Sequence, residues 1–246
     1  MDYKNWLNTA VRPESEERVQ TMFSSVARRY DLANTAVSFG MHYPWKTFAT
    51  NQANLSPGDS ALDVCAGTCD ITIKLARQVG PTGRVVALDR NEEMLEVGRY
   101  KLRKQGLLDR VELMVGNAES IPELEDESFN AVTIGVASRH LDVAEAYKEW
   151  RRVTKPGGRV VCLDFFQPPN DTFRSLYTWY SKNILPYIGE ALTGDRTGVY
   201  HYLNKSIELF FSPEEYSKII EDAGYKNVRY TQMTGGIVCI HVGEKN

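Results

Sequence analysis

Residues 60–70 read Ser60-Ala61-Leu62-Asp63-Val64-Cys65-Ala66-Gly67-Thr68-Cys69-Asp70. The apolar run Ala61 to Val64 stops at small residues and passes straight into Ile71-Thr72-Ile73-Lys74-Leu75-Ala76, an amphipathic stretch. This predicts a strand, a tight turn and the first turn of a helix. Small residues let backbone approach a ligand, and the helix N-terminus offers unpaired N–H groups there. Downstream, Arg84-Val85-Val86-Ala87-Leu88 ends in Asp89. An acid at the end of a second strand is placed to hold a ribose diol. Together these features point to a nucleoside cofactor at the carboxyl edge of a parallel sheet.

The rest of the chain continues the alternation. Helical patterns are expected over Ser15–Val26 and Tyr43–Asn54, and Pro57-Gly58-Asp59 is a turn signal. After the strand Ala61–Val64 come a helix over Asp70–Val79, a strand over Arg84–Asp89 and a helix over Glu92–Gln105. Strands follow at Val111–Val115 and Phe129–Val136, then a helix over Ala144–Val153, ended by Lys155-Pro156-Gly157-Gly158. A fifth strand covers Arg159–Phe165. Such alternation argues for right-handed βαβ units, with helices on both faces of the sheet. Residues 171–210 are rich in aromatics at helical spacing. Ser212-Pro213-Glu214-Glu215 signals an N-cap with proline at the first helical position. Strand-like runs at Val228–Thr231 and Ile237–Val242 suggest an antiparallel hairpin ending. The expected α/β fold is therefore Rossmann-like, with a mostly parallel seven-stranded sheet. Its parts are a helical cap (1–55), a cofactor-binding core (56–166), an aromatic-rich helical insertion or lid (167–211) and a closing helix with strands (212–246).

Bulk properties narrow the function. The chain has 246 residues, 42% hydrophobic and 25% charged, with a net charge of −3, so a general nucleic-acid footprint is not expected. Cys65 and Cys69 have no second cysteine pair and no histidine nearby, which argues against zinc; reduced thiols in a cytoplasmic protein are the expectation. Met1 to Pro13 is polar, reads as a loose leader and lacks an apolar signal core. No stretch approaches the roughly 18 apolar residues of a membrane span. Attachment to a membrane surface stays open.

The turn discriminates between cofactors. A dinucleotide fingerprint needs three glycines, and Cys65–Asp70 has only Gly67. S-adenosylmethionine (SAM) carries no phosphates, and the charges of its short amino acid tail suit the backbone of such a turn. Asp63, Ala66, Gly67, Thr68 and Asp70 are the binding residues expected at this edge. Gly116-Asn117-Ala118-Glu119, after the third strand, offers a polar side chain and backbone to read adenine. Arg90 reads either as a ribose neighbour or as a solvated charge, and Met94 either as a surface under the adenine or as core. An ordinary strand–helix connection is the bland reading of the whole turn.

Several further motifs carry a resemblance. They are Met22 to Asn34, including Tyr30-Asp31-Leu32-Ala33-Asn34; Ser38-Phe39-Gly40-Met41-His42 with Trp45-Lys46; Val153 to Gly158; and Thr234-Gly235-Gly236 with His241 and Gly243. With the cofactor-edge motifs, they make the chain resemble the UbiE/MenG quinone C-methyltransferases, class I SAM-dependent enzymes, over about residues 15–243. The resemblance implies SAM as methyl donor, with S-adenosylhomocysteine (SAH) as product. Thr68, Asp89, Asn117 and Ala118 would contact the cofactor, Gly135 would supply a further contact, and Tyr30 would close over it. The implied acceptor is a small molecule, a prenylated hydroquinone such as demethylmenaquinol or a ubiquinol precursor. Peripheral membrane contact and a homodimer are compatible with this.

One segment departs from the pattern. Where the family usually reads Phe-Gly-Leu-Arg-Asn, this chain reads Val136-Ala137-Ser138-Arg139-His140. Arg139 and His140 are the expected catalytic residues. Arginine stays protonated and would stabilise a phenolate or orient a water, whereas histidine ordinarily titrates near neutrality and is the candidate base. A packed or loop-capping role is the plain alternative for His140; His201 and His241 are weaker candidates. The altered segment leaves two further functions open: methylation of another small acceptor at O, N or C, and SAM binding without methyl transfer.

Overall fold

A computed structural model describes residues 15–246. The expectation for Met1 to Pro13 lies outside the described residues.

A seven-stranded sheet has the order β3-β2-β1-β4-β5-β7-β6. Its strands are β1 (Ser60–Val64), β2 (Arg84–Asp89), β3 (Val111–Val115), β4 (Phe129–Gly135), β5 (Thr154–Phe165), β6 (Lys226–Met233) and β7 (Val238–Glu244). β1 to β5 pair in parallel, and β7 runs antiparallel to both β5 and β6. The strand order reverses direction between β1 and β4, where doubly wound sheets open a crevice at their carboxyl ends.

Period-two patterning divides the core. Leu62, Val64, Val86 and Leu88 point into one buried cluster with Tyr147, Trp150 and Tyr216. Ala61, Val85 and Ala87 point into the other, with Trp45, Ile71 and Leu75. The helices that cover these faces are α3 (His42–Gln52), α4 (Asp70–Val79), α5 (Glu92–Lys104), α6 (Val143–Val153) and α10 (Pro213–Asp222). Their starts carry local signals: Asn91 and Asp142 accept backbone N–H bonds as N-caps, and Ser212 with Glu215 forms a capping box.

The remaining helices form a canopy over the carboxyl edge. They are α1 (Glu16–Val26), α2 (Tyr30–Val37), α7 (Asp171–Asn183), α8 (Leu185–Thr193) and α9 (Val199–Glu208). Met22, Val26 and Ala33 from the N-terminal helices share a third buried cluster with Leu185, Val199, Tyr200 and Tyr202. The cap and the aromatic insertion thus pack on each other. Gly235 helps seat the insertion: its φ is +64°, and a Cβ there would meet the Phe173 ring at 2.5 Å.

The segment Tyr30–Val37 is a helix outside the helical patterns marked from the sequence. Two local expectations are corrected. Lys155-Pro156-Gly157-Gly158 does not interrupt the sheet, because Gly157 N–H donates to Lys245 O at 2.6 Å and Lys245 N–H donates to Gly158 O at 2.9 Å. β4 stops at Gly135, because Val136 turns to φ +61°. No helix among the described residues is long and apolar enough to cross a membrane.

Candidate active site

The turn after β1 is built from left-handed backbone. Cys65, Gly67 and Cys69 have φ of +52°, +54° and +63°. Two of these are not glycine, so the conformation costs on the order of 1–2 kcal/mol per residue, a strain that clusters at functional sites. Beneath the turn, Asp63 is buried; Thr72 and Thr133 hydroxyls donate to its two oxygens at 2.6 and 2.8 Å. Burial pushes its carboxyl up to about 6, against the hydrogen bonds. Gly98 on α5 brings that helix against the turn, since a Cβ there would collide with Cys69 Sγ.

Asp89 ends β2 and braces the turn from the side. Its Oδ2 accepts from Gly67 N–H at 2.7 Å and its Oδ1 from Asn91 N–H at 2.8 Å. Around it lies a cavity of about 120 Å³, bordered by Arg90, Met94, Asn117, Ala118 and Gly135. Asn117 Oδ1 is engaged by Glu119 N–H at 3.0 Å, which fixes this loop. Met94 is 3% exposed and is core as well as lining. A carboxylate, a thioether surface and an amide-bearing loop are a donor set that fits ribose and adenine.

A cavity of about 570 Å³ adjoins it. Tyr30, Gly67, Gly135 and His140 border both spaces, while Asp63, Ala66, Thr68, Asp70 and Arg139 line the larger one. The structure therefore gathers the expected cofactor-binding residues, with Arg139 and His140, around two adjoining cavities. His201 and His241 fall outside them. His201 is on the surface 3.5 Å from Glu190, and His241 is buried with its Nε2 2.9 Å from Pro213 O.

Thr68 and Asp70 belong to an ionic network that sequence reading missed. Thr68 Oγ1 donates to Asp31 Oδ1 at 2.6 Å, and Lys46 Nζ lies 2.7 Å from Asp70 Oδ2. Lys101 Nζ reaches Asp31 Oδ2 at 2.6 Å and also pairs with Asp70 Oδ1. Burial raises the Asp70 carboxyl, but Lys46 and Lys101 outweigh it and hold it at about 2. Asp31 and Lys46 stand within the N-terminal motifs, whereas Lys101 had no local signal.

Arg139 and His140 lie on a 3-10 turn, Ser138–His140. Arg139 is 1% exposed, pairs with Asp164 and lies over the Phe165 ring at 5.5 Å. Burial lowers its guanidinium to about 10, still cationic at neutral pH. Asp164, a buried acid near the end of β5, also accepts from Ser138 N–H at 2.9 Å and Phe165 N–H at 2.7 Å. Its mark in the sequence is an acid inside the apolar run Val160 to Phe165. Ser138 therefore points into the protein. His140 Nδ1 is 2.8 Å from Tyr202 Oη. Burial, and Arg139 beside it, push the imidazole down to about 3. The expectation that His140 titrates near neutrality is corrected: it is neutral and a weak base.

A family model described as the ubiE/COQ5 methyltransferase family matches residues 11–245. The chain belongs to this family. It is a methyltransferase that uses SAM. It is 40% identical over 238 residues to the "Ubiquinone/menaquinone biosynthesis C-methyltransferase UbiE" of Cronobacter sakazakii, covering 96% of this chain and 94% of the relative. The protein of the same name from Shewanella halifaxensis is 40% identical over 228 residues, covering 92% and 90%. Among solved structures, a SAM-dependent methyltransferase from Aquifex aeolicus aligns with TM-score 0.55 and 20% identity, covering 99% of this chain and 98% of that one. A "putative s-adenosyl-l-methionine-dependent methyltransferase" from Methanococcus maripaludis gives TM-score 0.59 and 19% identity, covering 89% and 92%. These two likenesses show the shared fold.

Proposed function

We propose that this family member methylates a ring carbon of a reduced, prenylated quinone. The observation that carries this is the larger cavity. Aromatic and aliphatic side chains dominate its walls, it meets the cofactor cavity at Tyr30 and His140, and Arg139 lines it as a buried cation. The relatives named as ubiquinone/menaquinone biosynthesis C-methyltransferases support the same acceptor class.

Asp89 would hold the ribose hydroxyls, Asn117 and Ala118 the adenine edge, and the Gly67–Asp70 turn the amino acid tail. Bound SAM supplies an electrophilic methyl group on a sulfonium. The chain's own work is alignment and charge. The apolar walls hold the hydroquinone ring and exclude water, which strengthens every polar contact inside. Arg139 stabilises the phenolate that makes the ortho carbon nucleophilic, and Asp164 keeps its guanidinium in place.

The cavity's outer lining includes Phe39 (77% exposed), Leu176 (62%) and Trp179 (55%). A prenyl tail would leave the cavity past these side chains, and the same apolar rim would touch a bilayer surface peripherally.

A panel of reduced demethylmenaquinone, a ubiquinol precursor and soluble phenols, each with methyl-labelled SAM, tests the reading. Label in the prenylated hydroquinones supports it; label in soluble phenols alone overturns it.

A further inference from the structure

His140 stands where the two cavities meet. Phe23 meets its ring edge-on at 5.5 Å, and Tyr202 of α9 stacks on it at 5.3 Å between centroids. Its Nδ1 is satisfied by Tyr202 Oη at 2.8 Å. Its Nε2 is buried and has no hydrogen-bond partner among the described residues, and the same holds for Nη2 of the adjacent Arg139. Two unpartnered polar nitrogens thus lie on adjacent residues that both line the larger cavity.

The tautomer decides what His140 offers. An imidazole nitrogen accepts hydrogen bonds better than a phenol oxygen, and a phenol hydroxyl is a strong donor. The Tyr202 hydroxyl therefore donates to Nδ1, which leaves the ring proton on Nε2. We infer that Tyr202 is a positioning residue that fixes His140 in its Nε2–H form, so that His140 and Arg139 together donate to one acceptor oxygen. His140 then takes no proton: the acceptor hydroxyl loses its proton to bulk water as the ring enters, and the two donors hold the oxygen anion. After methyl transfer the ring carbon loses its proton to solvent as the oxygen is reprotonated. The inference rests on the proposed oxygen-bearing acceptor for its role in turnover, but not for the tautomer.

The test is the ring nitrogen NMR spectrum of the ¹⁵N-histidine-labelled full chain without acceptor, paired with kinetics. Wild type should show His140 with a bare Nδ1 and a protonated Nε2, and Tyr202→Phe should lose that preference. Protonation at Nδ1 in wild type overturns the inference whatever the acceptor proves to be. With an accepted substrate, Tyr202→Phe should cost about tenfold in kcat/KM for acceptor, with little change in KM for SAM. His140→Asn should recover activity relative to His140→Leu, and adding Tyr202→Phe to His140→Asn should cost nothing more. An equal Tyr202→Phe loss in both backgrounds would mean that Tyr202 is only a cavity wall.

Discussion

Lys101 Nζ on α5 lies 2.6 Å from Asp31 Oδ2 on α2. The same ammonium pairs with Asp70 at the start of α4, so one cation joins the cap to the cofactor turn. Removing one partner of such a partly buried cluster leaves the remaining charges uncompensated, which costs more than the ~0–1 kcal/mol of an exposed pair. Lys101→Met should loosen the cap, raising the dissociation constant for SAM about tenfold and speeding SAH release. Calorimetry and stopped-flow release measure both; unchanged values would show that the canopy's apolar packing suffices to close the site.

Asp89 accepts from Gly67 and Asn91 N–H groups and faces the smaller cavity. Asp89→Ala removes the ribose acceptor together with the brace on the turn. SAM affinity should fall by about 1–3 kcal/mol, the scale for a hydrogen bond to a charged group. Calorimetric affinity equal to wild type would refute the ribose role.

The central strands and the turn were legible because their signals are local. Ala61 to Val64 is apolar but for Asp63 and runs into small residues, and Arg84 to Asp89 repeats the pattern with an acid at the end. The cap helix α2 was not legible. It is short, carries Asn34 and Thr35, and is held by tertiary packing around the buried Ala33. Lys155 to Gly158 looked like a break because its stabilising partner, Lys245, is remote in sequence. The same distance hid the Asp31–Lys101 pair, 70 residues apart, and the Arg139–Asp164 pair. Residue type marked Arg139 and His140, but only their surroundings showed that one is a clamped cation and the other a neutral ring.

Asp164 is buried, pairs with Arg139 and accepts the Ser138 N–H. Asp164→Asn leaves the guanidinium buried without its counter-ion. Removing one partner of such a pair costs about 3–5 kcal/mol of stability. Denaturant unfolding should show this loss, and turnover should fall well beyond what unfolding explains. Full activity in the folded variant would dissociate Arg139 from catalysis.

Two carboxylates give opposite pH dependences. Asp70 sits at about 2 against its ordinary 3.8, so its stabilisation is present above about pH 4 and is lost as pH falls toward 2. That is worth about 2 kcal/mol. Asp63 sits at about 6, so its stabilising effect is complete below about pH 4 and disappears as pH rises through 6. Asp70→Asn should flatten the acid limb of a stability–pH curve, whereas Asp63→Asn should flatten the segment between about 4 and 6. Curves of unchanged shape would contradict these assignments.

Carbon methylation of a hydroquinone in the Arg139-lined cavity is decided by the structure of the product. The purified enzyme is incubated with methyl-¹³C SAM and reduced demethylmenaquinone, and the product is solved by NMR. The expected product carries the labelled methyl on a ring carbon with both hydroxyls free. A labelled methyl ether, or SAH formed without any labelled quinone, contradicts it.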